Sequence, residues 1–218
     1  MVDTVTHRVT DIQAKQRLMK TYIVQHPNSY VALWELLFDY GNSRNDSVKG
    51  SILANTQLFS PLVKKSNTYQ ALLQYLNKDL ELVAGRQFPD INLKPAVSIR
   101  QTVKENKFIL IDFWFSHCEP CLKQLPDLKE IYAAYKEKNF SIIGISVDSK
   151  ANETYWQKTI EKYSLNWPQY LDENGKEAQR LNVNVYPSNF LLDDKGLIIK
   201  KDISPAELNE FLQKNLNR

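Results

Sequence analysis

Apolar and polar positions follow two different rhythms along this chain. From the start to about residue 85 the apolar residues recur at helical spacing. In DIQAKQRLMKTYIVQH they are Ile12, Leu18, Met19, Tyr22 and Ile23. The segment HPN, His26 to Asn28, breaks that pattern, and Ser29 is placed to cap a second helix through YVALWELLFDY. GNSRND reads as a loop, and SVKGSILANTQLF as a third helix in which Gly50 is the weak point. After SPLVKKSN a fourth helix runs through TYQALLQYLNKDLELVA, with Gly85 as its C-terminal cap. The stripe of Tyr30, Leu33, Trp34, Leu37 and Phe38 is expected in the core, and partner docking is the lesser alternative. His7 and His26 stand alone and read as surface or turn residues.

From Phe88 onward the rhythm changes. FILIDFWF is a continuous β-prone run, as expected of a strand buried on both faces. PCLKQLPDLKEIYAAYKEK is a helix, FSIIGISVD a second buried strand, and TYWQKTIEKYS another helix. SNFLLDDKGLIIKK reads as two strands joined by the turn DDKG. SPAELNEFLQKNL closes the chain as a helix, with Ser204 as cap and Pro205 at its first position. Strand and helix alternate, and then a hairpin and a last helix follow. This order predicts an α/β fold with a mixed sheet covered on both faces, preceded by an all-α region. The domains are placed at 1–85 and 86–218.

Composition narrows the function. The chain has 218 residues, 43% of them hydrophobic, which is ample for a packed core. A net charge of +3, with basic and acidic residues interleaved, gives no nucleic-acid surface. There is no apolar run of the ~18 residues that a membrane span needs, and MVDTVTHRVTDIQAKQ has no apolar core of a secretory signal. The expectation is a cytosolic protein, or an exported one whose signal or anchor is absent from this chain.

The chain holds 2 cysteines, Cys118 and Cys121, both at the junction of FILIDFWF with the following helix. A helix N-terminus carries free N–H groups and partial positive charge, which stabilise a thiolate, the attacking species in disulfide exchange. Cys121 follows one helical turn later on the same face, and Pro120 suits a first turn, where its missing N–H costs nothing. That arrangement suits a redox dithiol with an exposed attacker and a resolving partner. A structural disulfide closing so short a loop would add little stability. A zinc site needs about four ligands, and only His117 stands near the thiols. An iron–sulfur cluster fails on cysteine count.

These residues resemble the thioredoxin superfamily, and more closely its TlpA/ResA-like branch of exported thiol–disulfide oxidoreductases. DFWFSHCEPC is similar to that branch's Phe-Trp-x-x-x-Cys-x-Pro-Cys signature. GRQFPDINL resembles its entry segment, and IIGISVD with YWQKTIEKYSLNWPQYLDENG resembles the strand and helix inserted in the TlpA and peroxiredoxin group. NVYPSNFLLDDKG is similar to the segment carrying the family's cis-proline, here Pro187, preceded by Tyr186. The helical region resembles, more weakly, the one preceding this domain in Bacteroidetes members. The resemblance implies a thioredoxin-like fold, with Asp112 as the buried acid of the strand and a proton acceptor for Cys121. It implies that the backbone at Tyr186 and Pro187 pairs with an extended substrate. Pro126 is expected to kink the helix after the cysteines.

Two departures stand out. His117 replaces the Trp that many relatives carry before the first Cys; it either bonds to or, when charged, stabilises the thiolate, or it merely fills the surface. Gln124 stands where ResA-like proteins tend to carry a second acid. Glu119 should oppose thiolate formation and favour a reducing dithiol.

The function read from the sequence is therefore a thiol–disulfide oxidoreductase that reduces protein disulfides in the periplasm or cell envelope. Cys118 attacks, Cys121 resolves with Asp112, and His117, Glu119 and Pro120 tune the pair. No metal or organic cofactor is implied. Partners are protein disulfide substrates and a dithiol electron-donor protein, not nucleic acid, with any membrane anchor outside this chain. The alternatives are a non-catalytic adaptor displaying its helical half, which would fail to reduce insulin, and a thiol peroxidase. The peroxidase reading lacks its Thr-x-x-Cys arrangement, since Phe115 stands three residues before Cys118. Limiting iodoacetamide on the reduced protein should label Cys118 ahead of Cys121; preferential labelling of Cys121 would reverse their roles.

Overall fold

A computed structural model describes residues 11–43, 45–93 and 99–216. Its backbone divides into two compact units between Leu80 and Glu81. The apolar rhythm places this division at Gly85. The difference arises because the segment after the last N-terminal helix already bonds into the second unit: the Gly85 N–H donates to Ile198 O at 2.8 Å.

The first unit holds α1 (Ile12–Gln25), α2 (Tyr30–Asn42), α3 (Asp46–Thr56), α4 (Pro61–Lys64) and α5 (Asn67–Glu81) among the described residues. Side-chain caps start several of them. Ser29 accepts the Ala32 N–H at 3.1 Å, and Asn45 accepts the Ser47 N–H at 2.9 Å. The short α4 falls in SPLVKKSN, where Ser60 caps and Pro61 takes the first position. The fourth expected helix ends at Glu81 rather than at a Gly85 cap. Ile23, Leu33, Leu36, Ile52, Val63, Leu72 and Leu76 form the core of this unit. His26 is an exposed residue at the end of α1, and His7 lies outside the described residues.

The α2 stripe does not all lie in the core. Ala32, Leu33 and Leu36 face inward, while Tyr30, Trp34 and Phe38 are exposed, Trp34 by 59% and Phe38 by 65%. A helix apolar nearly all round offers two faces of similar hydrophobicity, so spacing alone does not fix which one is buried.

The second unit holds a five-stranded sheet. It contains α6 (Ile99–Glu105), β1 (Phe108–Trp114), α7 (Glu119–Tyr135), β2 (Phe140–Ser146), α8 (Glu153–Tyr163), β3 (Gln169–Leu171), α9 (Lys176–Arg180), β4 (Ser188–Asp193), β5 (Ile198–Lys201) and α10 (Pro205–Leu216). The strand order is β3-β2-β1-β4-β5. β1 runs parallel to β2 and antiparallel to β4, so the sheet is mixed. The segment after Gly85 bonds along β5, with the Phe88 N–H donating to Gly196 O at 2.9 Å. α6, β3 and α9 are short elements that the sequence pattern leaves unmarked.

Every residue of β1 is buried. Successive side chains alternate between faces. Ile109, Ile111 and Phe113 enter one apolar cluster, and Phe108, Leu110 and Trp114 enter the other. The second cluster also holds Leu125, Leu128 and Ile131 of α7, Leu208 and Leu212 of α10, and both cysteines. In the hairpin between β4 and β5, the Asp193 carboxylate accepts the Lys195 and Leu197 N–H groups at 2.9 and 2.8 Å, and Gly196 takes the left-handed φ of 78°. α10 opens on a reciprocal cap: Ser204 Oγ accepts the Glu207 N–H at 3.3 Å, and Glu207 accepts the Ser204 N–H at 3.0 Å. Among the described residues no helix is long and apolar enough to cross a membrane.

Leu110 is fully buried at the centre of β1. Leu110→Ala should lower the unfolding free energy by about 2–5 kcal/mol in a denaturant titration. A loss well under 1 kcal/mol would remove β1 from the centre of the core.

Candidate active site

β1 ends at Trp114, and the chain turns through Phe115, Ser116 and His117 into α7. Cys118 is the N-cap of that helix, and its own N–H donates to Phe115 O at 3.0 Å. The Cys121 N–H points at Cys118 Sγ, 3.2 Å away. That is one of the donors a helix start leaves without an intrahelical partner. The two sulfurs are bonded, with an S–S distance of 1.98 Å. Pro120 lies in the first turn, where it sacrifices no hydrogen bond, and α7 continues from Glu119 to Tyr135 with Pro126 inside it.

The sequence expects an exposed attacker. In the disulfide form Cys118 is only 4% exposed and Cys121 2%. Both sulfurs belong to the apolar cluster of Trp114, Leu125 and Leu128, and that packing is what covers them. Glu119 is also placed differently from the repulsive role expected of it. Its carboxylate is 78% exposed and meets Lys123 Nζ at 2.8 Å, so water and a counter-charge screen it from the sulfurs. Gln124 is half-buried on the next turn.

Asp112 lies on β1 between Leu110 and Trp114 on the face that α7 and the cystine cover. It is 4% exposed, and its Oδ1 has no hydrogen-bond partner among the described residues. Its strand neighbours in register are Gly144, which has no side chain, and Asn189, whose amide is engaged by both backbone groups of Ile203. Burial without compensation pushes the Asp112 carboxyl up to about 7.

The peptide bond between Tyr186 and Pro187 is cis. The Tyr186 ring meets the Phe115 ring edge-on at 5.7 Å, which brings this loop against the turn before the cysteines. Its hydroxyl donates to Val183 O at 3.0 Å. Burial raises the Tyr186 phenol above its ordinary value, with a smaller push from the Asp172 charge.

His117 is exposed, with its ring 5.1 Å from that of Tyr155 on α8. Its Nδ1 lies 3.0 Å from Ser116 Oγ, and Ser116 bonds onward to the buried Asp148. Ser116, Ser146 and Asp148 are absent from the site read off the sequence. A signal for them exists: Trp114 and Ser146 are partners in register on parallel strands, so Ser116 and Asp148, each two residues on, emerge side by side. The carboxyl ends of adjacent parallel strands are where α/β proteins build sites. Among the described residues no cluster of three or more His, Cys, Asp or Glu could hold a metal ion.

A mixed sheet whose buried central strand feeds a Cys-x-x-Cys helix start, with a cis-proline loop packed beside it, is a thioredoxin-like redox domain. The chain belongs to the AhpC/TSA family, whose model matches residues 84–201, over half its length. It is similar to thiol-disulfide oxidoreductase ResA of Bacillus cereus, 27% identical over 145 residues, covering 64% of this chain and 83% of that protein. The thioredoxin domain of a thiol-disulfide oxidoreductase from Bacteroides vulgatus is 31% identical, with a TM-score of 0.55, covering 62% of this chain and 99% of that one. A thioredoxin-like protein from Bacteroides caccae, only 16% identical, shares the fold over 94% of this chain and 78% of its own, with a TM-score of 0.72.

Asp112 makes stability depend on pH with a definite sign. An unfolded Asp ionises near ~3.9, whereas the folded one holds its proton to about 7. Between those values the folded state binds more protons, so stability falls as pH rises, and the loss is complete above the folded value. The difference between wild type and Asp112→Asn should therefore grow between about pH 4 and 7. Above pH 7 the variant should be more stable by about 1–4 kcal/mol, because wild type then carries an uncompensated buried charge that the neutral amide lacks. Urea titrations across pH check this. A difference independent of pH, with the variant less stable, would make Asp112 a satisfied structural carboxyl.

Proposed function

We propose that the chain is a protein-disulfide reductase acting through the Cys118–Cys121 pair, with Asp112 as the proton acceptor. The observation that carries it is the cystine at the start of α7, where Cys118 is the cap and receives the Cys121 N–H. In the reduced protein the Cys118 thiolate attacks one sulfur of a substrate disulfide and expels the other as a thiolate. Cys121 then passes its proton to Asp112 and attacks Cys118 Sγ. The substrate leaves as a dithiol, and the protein is left with the Cys118–Cys121 disulfide that the structure holds. A dithiol donor protein returns the two electrons. A carboxyl poised at about 7 suits the proton step, because it is partly ionised at neutral pH and still basic enough to accept.

Burial supports the reducing direction better than Glu119 does. Apolar surroundings disfavour a thiolate, and a dithiol whose thiolate is little stabilised makes a weak oxidant. The loop of Tyr186 and Pro187 is the docking edge for extended substrate in this reading. Action in the periplasm or cell envelope follows from the resemblance to exported oxidoreductases. The peroxidase alternative has weaker support, since Phe115 offers no hydroxyl near the attacking sulfur.

Cys121→Ser should trap a mixed disulfide at Cys118 with disulfide-bonded insulin or another protein disulfide substrate, and Cys118→Ser should trap none. The wild-type reduction potential, from equilibration with glutathione buffers, should lie nearer about −270 mV than about −120 mV, the values of thioredoxin and of a strong oxidant. A potential at the oxidising end would overturn the direction while leaving the exchange chemistry intact.

A further inference from the structure

We propose that Asp148 is a positioning residue that acts through Ser116 to fix the tautomer of His117 next to the attacking sulfur. The proposal deepens the reductase reading and rests on Cys118 as its nucleophile. Asp148 follows β2 and is 4% exposed. Its Oδ2 accepts the Ser116 N–H at 2.8 Å and the Ser146 hydroxyl at 2.7 Å, and its Oδ1 accepts the Ser116 hydroxyl at 2.9 Å. Ser116 Oγ in turn lies 3.0 Å from His117 Nδ1.

Proton counting orders this chain. A carboxylate only accepts, and a serine hydroxyl has one proton to give. That proton is committed to Asp148, so toward His117 the hydroxyl oxygen can only accept. Nδ1 must then carry the ring's hydrogen, and in the neutral ring Nε2 is left as the acceptor. The ring sits at the exposed rim, against Tyr155, on the residue before Cys118. In this reading Nε2 takes the Cys118 thiol proton once the protein is reduced, the sulfur keeping the electron pair as the thiolate that attacks substrate. A carboxylate that selects the tautomer of a reacting histidine performs the orienting role of the acid in a catalytic triad, here with a serine hydroxyl interposed.

Asp148→Asn tests this because it should reverse the chain without removing it. The Ser116 N–H requires the amide oxygen to stay where Oδ2 was, which turns the NH2 toward Ser116 Oγ. The serine would then accept from Asn and donate to Nδ1, forcing the hydrogen onto Nε2. Long-range proton–nitrogen NMR on histidine-labelled full-length reduced protein reads the tautomer, with His117 assigned by its loss in His117→Gln. We expect Nδ1–H in wild type and Nε2–H in Asp148→Asn. Iodoacetamide labelling of Cys118 should slow by roughly two- to tenfold, the range of a loss of up to about one unit in thiol acidity. If Asp148→Asn does not fold, Ser116→Ala decides: it should abolish the Nδ1–H preference. Nε2–H in wild type, or a tautomer unchanged in the variant that folds, would overturn the proposal. Insulin reduction by wild type, run alongside, separates the two readings: its absence would sink the reductase and leave the tautomer result standing.

Discussion

The second unit depends on one constraint: β1 has to be dry on both faces. Its seven residues are all buried. Each large apolar side chain that alternation sends to one cluster or the other contributes about 1.5–3 kcal/mol by leaving water. A strand so placed must be paired on both edges, and β2 and β4 supply that pairing. Helices must then cover both sides. The site is a by-product of this packing. The strand delivers Asp112 into the dry layer beneath α7, and its end at Trp114 sets where the chain turns into the Cys118 cap.

Two effects on the cystine oppose each other. The start of α7 aims an N–H at Cys118 Sγ and favours negative charge there, by about 0.3–1 kcal/mol at an exposed terminus and up to ~2 kcal/mol where partly buried. The apolar cluster around both sulfurs withdraws the water that would otherwise solvate a thiolate. Glu119 contributes little to either side, because its charge is spent on Lys123 and solvent. The balance of helix terminus against burial therefore sets the acidity of the dithiol, and burial is the term that favours a reductant.

Much of this was legible in the sequence because it is local. Continuous apolar runs mark β1 and β2, Ser204 with Pro205 marks α10, and the Cys-x-x-Cys spacing at a strand-to-helix junction marks the dithiol. What was not legible is relational. α2 is apolar on two faces, and only its neighbours decide that Leu33 is buried while Trp34 is exposed. β3 has three residues and exists because β2 offers it an edge. The covering of Cys118 depends on α7 and Trp114 meeting over it, and the partner of Glu119 on a helical turn that brings Lys123 round. Asp148 was invisible as a site residue because its significance comes from Ser116, which lies on another strand's exit.

Asp112 and Asp148 show why burial alone does not assign a role. They are equally covered, each 4% exposed, Asp112 on β1 and Asp148 two residues past the end of the neighbouring β2. Asp148 receives two hydroxyls and a backbone N–H, so its negative charge is held by fixed donors and its lone pairs are committed. Asp112 has an oxygen with no donor, and burial pushes its carboxyl up to about 7. Fixed donors suit a carboxylate to hold a neighbouring loop and dictate the direction of its hydrogen bonds. An uncompensated carboxyl suits the opposite task, because loss and gain of its proton cost nearly the same at neutral pH. The sheet thus sets two acids of one type in opposite surroundings: one is held by fixed donors at the turn that leads into Cys118, and the other is left with an unpartnered oxygen in the dry layer beneath α7.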